Sequence, residues 1–309
     1  MIEVITPTSN YYDDARQVWN RAIDKYPAAI AYCKTYEDVK KAILFARKNN
    51  FKIRVRCGGH NYEGFSIADD ALIIDISNLN KIQINYECNT VTVESGAFLG
   101  QVYNFLGASE YPFPGGSCPT VGISGVVLGG GWGYSSRYFG LTCDSLLELK
   151  MIDYRGCLLT ANKNINSDLY WACKGGGGGN FGIVVSMTFK LPPYETLKNL
   201  INIINEERPN GSTTTELNVY GFGGQVSKIN KKDTAFYYRN SNYIILLETD
   251  FRNNLYKQDN INWINENSEY IYNITSGSYI NFSYYPLPNY LYDYYGGNVQ
   301  RLKCIKFKI

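Results

Sequence analysis

The chain contains one histidine, His60, which lies in the stretch Arg56-Cys57-Gly58-Gly59-His60-Asn61-Tyr62-Glu63-Gly64. A single histidine excludes paired-histidine zinc sites, histidine clusters and acid–base pairs of two histidines. The neighbouring glycines have no Cβ, so the backbone there can approach a flat or charged ligand closely. An isolated histidine is more often an ordinary hydrogen-bonded side chain. A second unusual stretch further along the chain favours a functional role instead: Gly115-Gly116-Ser117-Cys118-Pro119-Thr120-Val121-Gly122-Ile123-Ser124-Gly125-Val126-Val127-Leu128-Gly129-Gly130-Gly131-Trp132-Gly133.

The composition is that of a globular protein with a sizeable core. The 309 residues are 45% hydrophobic and 19% charged, which suits one large or two ordinary domains. The net charge of +2 and the absence of a long Lys/Arg run predict no nucleic acid partner. No apolar run reaches the length of a membrane span. The first residues lack the features of a signal peptide, so we expect a cytoplasmic protein of undetermined oligomeric state.

The eight cysteines are scattered and form no Cys-x-x-Cys pair. With one histidine, a structural zinc site is not expected, and we expect the thiols to be mostly reduced. The 28 tyrosines either line a substrate cleft, where rings stack and hydroxyls form hydrogen bonds, or simply follow the overall composition. A nucleotide-triphosphate binder is disfavoured because no Gly-x-x-x-x-Gly-Lys-Ser/Thr sequence occurs.

Helices and strands alternate through the first half of the chain. Apolar spacing predicts a helix over residues 36–48 with Thr35 as its N-cap, and a helix, a strand and a helix over 11–50. Strands are predicted over 51–56, 71–76 and 90–96, with a helix at 98–107. This alternation is typical of a layered α/β domain. Pro192-Pro193 closes it, followed by a predicted helix at 197–204 and strands at 217–220 and 243–249.

The chain has two glycine-rich stretches, and the first of them predicts contacts with phosphate. The stretch 122–133 can run its backbone N–H groups along a pyrophosphate, helped by a following helix N-terminus. It does not follow the Gly-x-Gly-x-x-Gly pattern of dinucleotide folds. The second stretch is Gly175 to Gly179, followed by Asn180-Phe181-Gly182-Ile183-Val184. A flexible low-complexity loop is the alternative there, and the strand that follows argues against it.

Together these motifs resemble the flavin-linked oxidases of the vanillyl-alcohol-oxidase / para-cresol-methylhydroxylase (PCMH) superfamily, above all its berberine-bridge-enzyme-like group. The similarity covers residues 10–195 and resumes at 277–304. It implies FAD bound twice covalently, with His60 on the 8α-methyl carbon of the flavin and Cys118 on its C6. The alternative for Cys118 is a buried free thiol that acts as a small hydrophobe.

The resemblance implies an α+β fold with three parts. Residues 1–193 would form a two-subdomain PCMH-type FAD-binding domain, 194–276 a reduced antiparallel-sheet substrate domain, and 277–309 a return segment packing on the FAD domain. Both the substrate domain and the C-terminus look shortened, because the chain stops before the family's closing Asp-Pro-x-Asn-x-Phe stretch. Asp144 matches a position for which we expect a structural role.

The resemblance also assigns site residues. Tyr279 is the candidate catalytic base, with a core position in a strand as the alternative; Asn281 and Asn298 would bind flavin or substrate, and Tyr62 and Tyr134 would flank the pocket. The remaining predicted FAD contacts are Gly58, Gly59, Asn61, Gly115, Gly116, Thr120, Val121, Gly122, Ser124, Gly125, Gly130, Trp132, Gly133, Tyr134, Gly178, Asn180, Phe181, Gly182, Ile183 and Val184.

The implied function is hydride transfer from a small-molecule alcohol, a sugar or an aromatic metabolite, to the flavin, while a base removes the hydroxyl proton. Without a second histidine, that base must be a tyrosine or a carboxylate, and a tyrosine would need nearby positive charge to lower its pKa. Plant oxidases of the family have a small side chain three residues after the tethering cysteine. Val121 occupies that position here, and its small side chain implies O₂ as the electron acceptor. The alternative function is a non-catalytic flavin-binding remnant with an incomplete pocket.

Overall fold

The computed structural model describes residues 2–192, 215–250, 257–284 and 286–308. The helix predicted over 197–204 lies outside these residues. In the described part of the chain, no helix combines the length and the apolar character needed to cross a membrane.

The N-terminal subdomain is built on a four-stranded sheet. Its strand order is β1-β2-β4-β3, with β2 and β3 parallel to β4 and β1 antiparallel to β2. The elements are β1 (Glu3–Ile5), α1 (Tyr12–Ala15), β2 (Ala29–Tyr32), α2 (Tyr36–Lys48), β3 (Ile53–Arg56) and β4 (Leu72–Asp75). The predicted helix over 36–48 is confirmed, and Thr35 caps it in a capping box with Asp38.

The second subdomain is a five-stranded antiparallel sheet in the order β5-β6-β9-β7-β8. Its strands are β5 (Ile82–Asn85), β6 (Thr90–Glu94), β7 (Leu146–Ile152), β8 (Leu158–Asn162) and β9 (Ile183–Lys190). Its helices are α3 (Leu99–Gly107), α4 (Ile123–Leu128), α5 (Ser136–Phe139) and α6 (Ser167–Ala172), with a 3₁₀ turn at Thr142–Asp144. The alternate residues Val91 and Val93 of β6 pack with α3 in its core, as the strand pattern predicted.

The glycine stretch 122–133 is not a loop along its whole length. Its first half is helix α4, which begins after Gly122. Ile123, Val126 and Val127 are all buried, because their spacing puts them on one side of a helical turn that faces the core. Only the second half, from Gly129, is an extended glycine loop.

The C-terminal half adds a two-stranded antiparallel sheet and several helices in the described residues. The elements are β10 (Thr215–Gly221), α7 (Gln225–Lys228), β11 (Tyr243–Thr249), α8 (Lys257–Ile274), α9 (Tyr290–Tyr295), a 3₁₀ turn (Gly296–Asn298) and α10 (Val299–Lys308). Both predicted strands are confirmed, and so is the α+β class. Leu302 and Ile305 of α10 pack beside Trp171 of α6, while the exact domain limits stay a prediction.

A buried ion pair joins the 3₁₀ turn before β7 to the segment that follows α7. The fully buried Arg239 donates from Nη1 and Nη2 to the two oxygens of Asp144, each at 2.8 Å. Asp144 also accepts the backbone N–H of Leu141 at 2.9 Å, and Arg239 donates to Thr234 Oγ1 at 2.7 Å. Asp144 therefore has a structural role, since it holds the 220–240 region on the second subdomain.

Replacing Arg239 with Met should lower the free energy of unfolding by about 3 kcal/mol, because the carboxylate of Asp144 is left buried without its cation. Urea unfolding followed by circular dichroism measures this change. Lys25→Gln is the matched control, since Lys25 and Asp69 form an exposed pair and the loss should stay within about 1 kcal/mol. Equal losses in the two variants would contradict the prediction.

Candidate functional site

The loop that carries His60 is anchored at its first residue. Arg56, at the end of β3, is buried, and its Nε donates to Asp75 Oδ2 at 2.6 Å across the parallel register of β3 and β4. Its Nη1 donates to the carbonyl oxygens of Ala15 at 2.7 Å and Gln17 at 3.3 Å. One guanidinium thus fixes the start of this loop to β4 and to the chain after α1.

The loop that carries Cys118 is held by the N-terminus of α3. The backbone N–H of Leu99 donates to Val121 O at 2.9 Å, and that of Gly100 donates to Pro119 O at 2.8 Å. These bonds satisfy two of the N–H groups that a helix N-terminus leaves unpaired. The Cys118 loop is therefore positioned by α3, although Cys118 itself lies outside any helix.

The two loops pack against each other through glycine backbone. A Cβ on Gly58 would lie 2.6 Å from both Gly122 N and Thr120 O, and a Cβ on Gly122 would collide with Cys57 Sγ. Gly58 and Gly122 are thus required for the contact between the loops. The sequence predicted that the backbone of these glycines lies close to a ligand. The structure shows that the two glycines also lie close to each other.

This contact brings His60 and Cys118 to one hydroxyl group. His60 Nε2 lies 2.9 Å from Thr120 Oγ1, and Cys118 Sγ lies 3.5 Å from the same oxygen. The indole of Trp19 stacks on the His60 ring, with centroids 4.3 Å apart and planes 18° apart. Burial lowers the pKa of His60 to about 4, so the imidazole is neutral near pH 7 and one of its nitrogens carries a free lone pair.

Both loops open onto one large cavity of about 2590 Å³. Small-molecule pockets usually have volumes of ~300–1,000 Å³, so this one has room for a dinucleotide and a substrate together. The predicted residues in its wall are Gly58, Gly59, His60, Asn61, Tyr62, Gly116, Cys118, Val121, Gly122, Ser124, Gly125, Trp132, Gly178, Asn180, Phe181, Gly182, Ile183, Val184, Tyr279 and Asn281. The structure therefore brings together segments that lie up to 220 residues apart.

The cavity wall fits an extended, charged cofactor such as FAD. Among the described residues, and apart from neighbours in the chain or the same helix, none comes within 4 Å of the position that a Cβ would take on Gly125 or Gly179, and only Leu128 approaches that position on Gly178. Bare backbone with open space before it is what a pyrophosphate needs for close approach to N–H groups. The second glycine stretch is also anchored, because Gly177 N–H donates to Leu128 O at 2.7 Å. Across the residues that the structure describes, no group of three or more His, Cys, Asp or Glu side chains could hold a metal ion.

Several predicted FAD contacts do not line the cavity. Gly115 and Gly133 pack directly on each other, and Gly130 faces the ring of Phe236, so the two loops use these glycines for internal packing. Tyr134 is 74% exposed and meets Trp132 edge-on. Thr120 lies outside the wall and reaches the site only through its hydroxyl.

Asn298 was also predicted to bind flavin or substrate, but the structure places it outside the cavity wall. Its side chain is buried, and Nδ2 donates to the carbonyl oxygens of Lys231 at 3.0 Å and Thr234 at 3.2 Å. A buried amide must satisfy its hydrogen bonds, and here backbone carbonyls do so. Asn298 therefore holds the segment that carries Arg239. Asn281, by contrast, lines the cavity and donates to Val126 O at 3.2 Å.

The environment of Tyr279 does not suit a base. Its hydroxyl oxygen accepts the backbone N–H groups of Gly131 at 3.1 Å and Trp132 at 3.0 Å, and the side chain of Asn281 donates to it at 2.9 Å. Burial raises the pKa of Tyr279 to about 12, the opposite of the shift that the sequence prediction required, although the three donated hydrogen bonds act against burial by favouring the phenolate. Tyr279 is not part of a strand either. It fixes the glycine turn before Trp132.

Three residues of the site were missed from the sequence. Glu248 lines the cavity, and Tyr62 OH donates to its Oε2 at 3.4 Å. Its signal was available, since it is the acidic residue in the otherwise apolar run of β11. Trp19 and Phe282, which stacks on Tyr62 at 6.0 Å, gave no such signal because isolated aromatic residues usually indicate core packing.

Comparison with known proteins shows that the chain is similar to proteins that bind FAD. Residues 27–162 match the FAD binding domain family. The uncharacterised FAD-linked oxidoreductase YgaK of Bacillus subtilis is 42% identical over 194 residues, which are 62% of this chain and 43% of YgaK. Reticuline oxidase of Eschscholzia californica is 39% identical over 178 residues, 56% of this chain and 33% of that protein. The chain thus spans less than half the length of these two relatives.

The solved structure of berberine-bridge-enzyme-like 1 from Physcomitrella patens superimposes with a TM-score of 0.86 over 99% of this chain and 94% of its own, at 22% identity, which shows the fold. The chain therefore has the fold of that protein, and its residues 27–162 resemble an FAD binding domain. The resemblance to berberine-bridge-enzyme-like FAD-linked oxidoreductases, which the motifs indicated, is confirmed.

Gly58→Ala should abolish flavin binding, because the added methyl group separates the His60 and Cys118 loops at their backbone contact. The ratio of flavin to protein absorbance after purification measures this loss. Gly107→Ala is the control, since no atom lies within 4 Å of its Cβ position and alanine suits its place in a helix. Retention of the parent flavin content in Gly58→Ala would contradict the role of the loop contact.

Proposed function

We propose that this protein is an FAD-dependent oxidase that holds its flavin covalently through His60 and Cys118 and oxidises a small-molecule alcohol with O₂. The observation that carries the proposal is that His60 and Cys118 converge on the hydroxyl of Thr120, while both side chains line one cavity whose wall also includes residues of both glycine stretches. When bound, FAD supplies the hydride acceptor. The chain itself positions the substrate, excludes water and takes up a proton.

The two tethers are tested by mass spectrometry of protease digests. We expect one flavin to cross-link the peptides of His60 and Cys118 in the parent protein. His60→Ala should leave it on the Cys118 peptide alone, Cys118→Ala on the His60 peptide alone, and the double variant should release it on acid precipitation. Cys88→Ala is the control, since this exposed cysteine lies outside the cavity wall. Free flavin in the acid supernatant of the parent protein would contradict the proposal.

We call the loop that carries His60, residues 57–64, the tether loop. The cavity wall beside it suits a sugar or an aromatic alcohol. Tyr62 and Phe282 stack nearly parallel, and Trp132 packs on Tyr220 with centroids 4.5 Å apart. All four rings line the cavity. Flat rings with a few polar groups bind the faces of sugars and of aromatic substrates alike, which supports this substrate class without choosing within it.

The general base that we propose is Glu248. The sequence left tyrosine and carboxylate open, and the raised pKa of Tyr279 favours the carboxylate. Glu248 lines the cavity and is bonded to Tyr62, two residues after His60, so it lies on the side of the cavity that the tether loop reaches. A carboxylate is ionised near neutral pH and accepts a hydroxyl proton without further activation.

Glu248→Gln should slow flavin reduction by the alcohol by about 10²–10⁴-fold, the usual contribution of a general base. Tyr279→Phe should slow it much less, because this phenol serves the Gly131–Trp132 turn. Anaerobic stopped-flow absorbance of the flavin measures both. If Tyr279→Phe were the slower variant, the base would be Tyr279 and the assignment of Glu248 would be wrong.

O₂ is the acceptor that we propose, because the small side chain of Val121 lines the cavity three residues after the Cys118 tether. Val121→Leu should slow reoxidation of the reduced flavin by air, since the side chain longer by one methylene group narrows the approach of O₂, while reduction by substrate stays unchanged. Stopped-flow mixing with air-saturated buffer checks this. Slow reoxidation of the parent protein, with rapid recovery by a quinone, would show a dehydrogenase instead.

A second candidate is a flavin-binding protein without turnover. It is favoured by the small substrate region, where the described residues form a sheet of two strands, β10 and β11. An oxygen-electrode screen of sugars and benzylic alcohols separates the candidates. Turnover of any of these alcohols would exclude the remnant, whereas a covalently loaded flavin that no alcohol reduces would favour it.

A further inference from the structure

The chain after α1 runs beside the tether loop and is bonded to it on both sides of Trp19. The guanidinium of Arg56 holds the carbonyl oxygens of Ala15 and Gln17. The backbone N–H of Trp19 donates to Gly59 O at 3.1 Å, next to the tethering histidine. The position of the indole is therefore set by the same loop that carries His60.

Asn20 completes this attachment on the other side. Its Nδ2 donates to Tyr62 O at 2.8 Å, so the residues before and after His60 are both bonded to the Trp19 segment, residues 15–20. Trp19 itself is 59% exposed and belongs to none of the buried clusters that the described residues form. Packing in a core does not account for the indole. Its stacking on His60 does.

Two contacts restrain the imidazole in different ways. Stacking on Trp19 sets the plane of the ring, because the two planes lie 18° apart at a centroid distance of 4.3 Å. The hydrogen bond between Nε2 and Thr120 Oγ1 at 2.9 Å sets which edge of the ring faces Thr120. A histidine ring turns about its Cβ–Cγ bond, and these two contacts together leave it one orientation.

We propose that Trp19 and Thr120 are positioning residues for flavin attachment, which hold the ring of His60 so that Nδ1 is the nitrogen that bonds the cofactor. The proposal rests on the covalent tether at His60 proposed above. In it, Nε2–H donates to Thr120 Oγ1 and Nδ1 keeps its lone pair. The hydroxyl of Thr120 then points its own proton toward Cys118 Sγ, 3.5 Å away, and so serves both tethers.

The attachment balances with O₂ as oxidant. The bond that forms joins His60 Nδ1 to the 8α carbon of the flavin, and one C–H bond of that methyl group breaks. The proton of that bond and the Nε2 proton of His60 leave, and the two electrons pass through the ring system to O₂, which takes up two protons and becomes H₂O₂. Neutral imidazole is the form that reacts, and burial keeps His60 neutral near pH 7.

The experiment uses Cys118→Ala as background, so that His60 is the only tether. The chain is produced in riboflavin-starved cells, riboflavin is then supplied, and covalent flavin is followed over time by fluorescence of denatured protein in gels. Trp19→Ala and Thr120→Val should each slow attachment roughly threefold to tenfold, the factor expected for losing one aromatic stack or one hydrogen bond. Together they should slow it further.

Two further variants separate positioning from folding. Trp19→Phe keeps a flat ring on His60 and should restore most of the attachment rate, which a merely structural role would not predict. Tyr11→Ala removes another exposed aromatic side chain nearby in the chain and should change nothing. Thermal midpoints of all variants should agree with that of the background.

Parent-like attachment rates in both Trp19→Ala and Thr120→Val would overturn the proposal. So would a Trp19→Phe variant as slow as Trp19→Ala, since the flat ring would then have no role. Failure of the covalent tether itself gives a different result, because the Cys118→Ala background would then carry no covalent flavin at any time.

Discussion

The close contact of Gly58 with Gly122 is the constraint on which the site depends. It joins two loops from different subdomains at a backbone distance that tolerates no side chain. Because of this contact, His60, which follows β3, and Cys118, which precedes α4, both reach the hydroxyl group of Thr120. The fold thus brings together the two side chains that we propose as the flavin tethers.

Two buried ion pairs support this arrangement from either side. Arg56 and Asp75 fix the start of the loop that carries His60, and Arg239 and Asp144 fasten the segment after α7 onto the second subdomain. A buried charge pair adds little net stability, because removing both charges from water costs free energy. It does fix the relative position of two segments, because each charge loses its partner if the segments shift. This suits a cavity whose wall comes from distant parts of the chain.

Much of the fold could be predicted because its signals are local. Thr35 and Asp38 lie within one helical turn, so the capping box of α2 can be read from four adjacent residues. The alternating valines of β6 report one buried face in the same way. The stretch 122–133 misled because its many glycines suggest a loop, whereas the buried positions Ile123, Val126 and Val127 form a helix against the core.

The features of the site, like those of the fold, divide into those with a local sequence signal and those set by contacts between distant segments. The sequence by itself indicated the kind of cofactor, since His60, Cys118 and the glycine stretches carry a recognisable pattern of FAD-linked oxidoreductases. Only the tertiary structure decided which neighbours act on them. The raised pKa of Tyr279 comes from burial, the pairing of Asn298 with backbone from a distant segment, and the stacking of Trp19 on His60 from a contact across forty residues. Such contacts depend on how separate segments pack, and no local pattern records that.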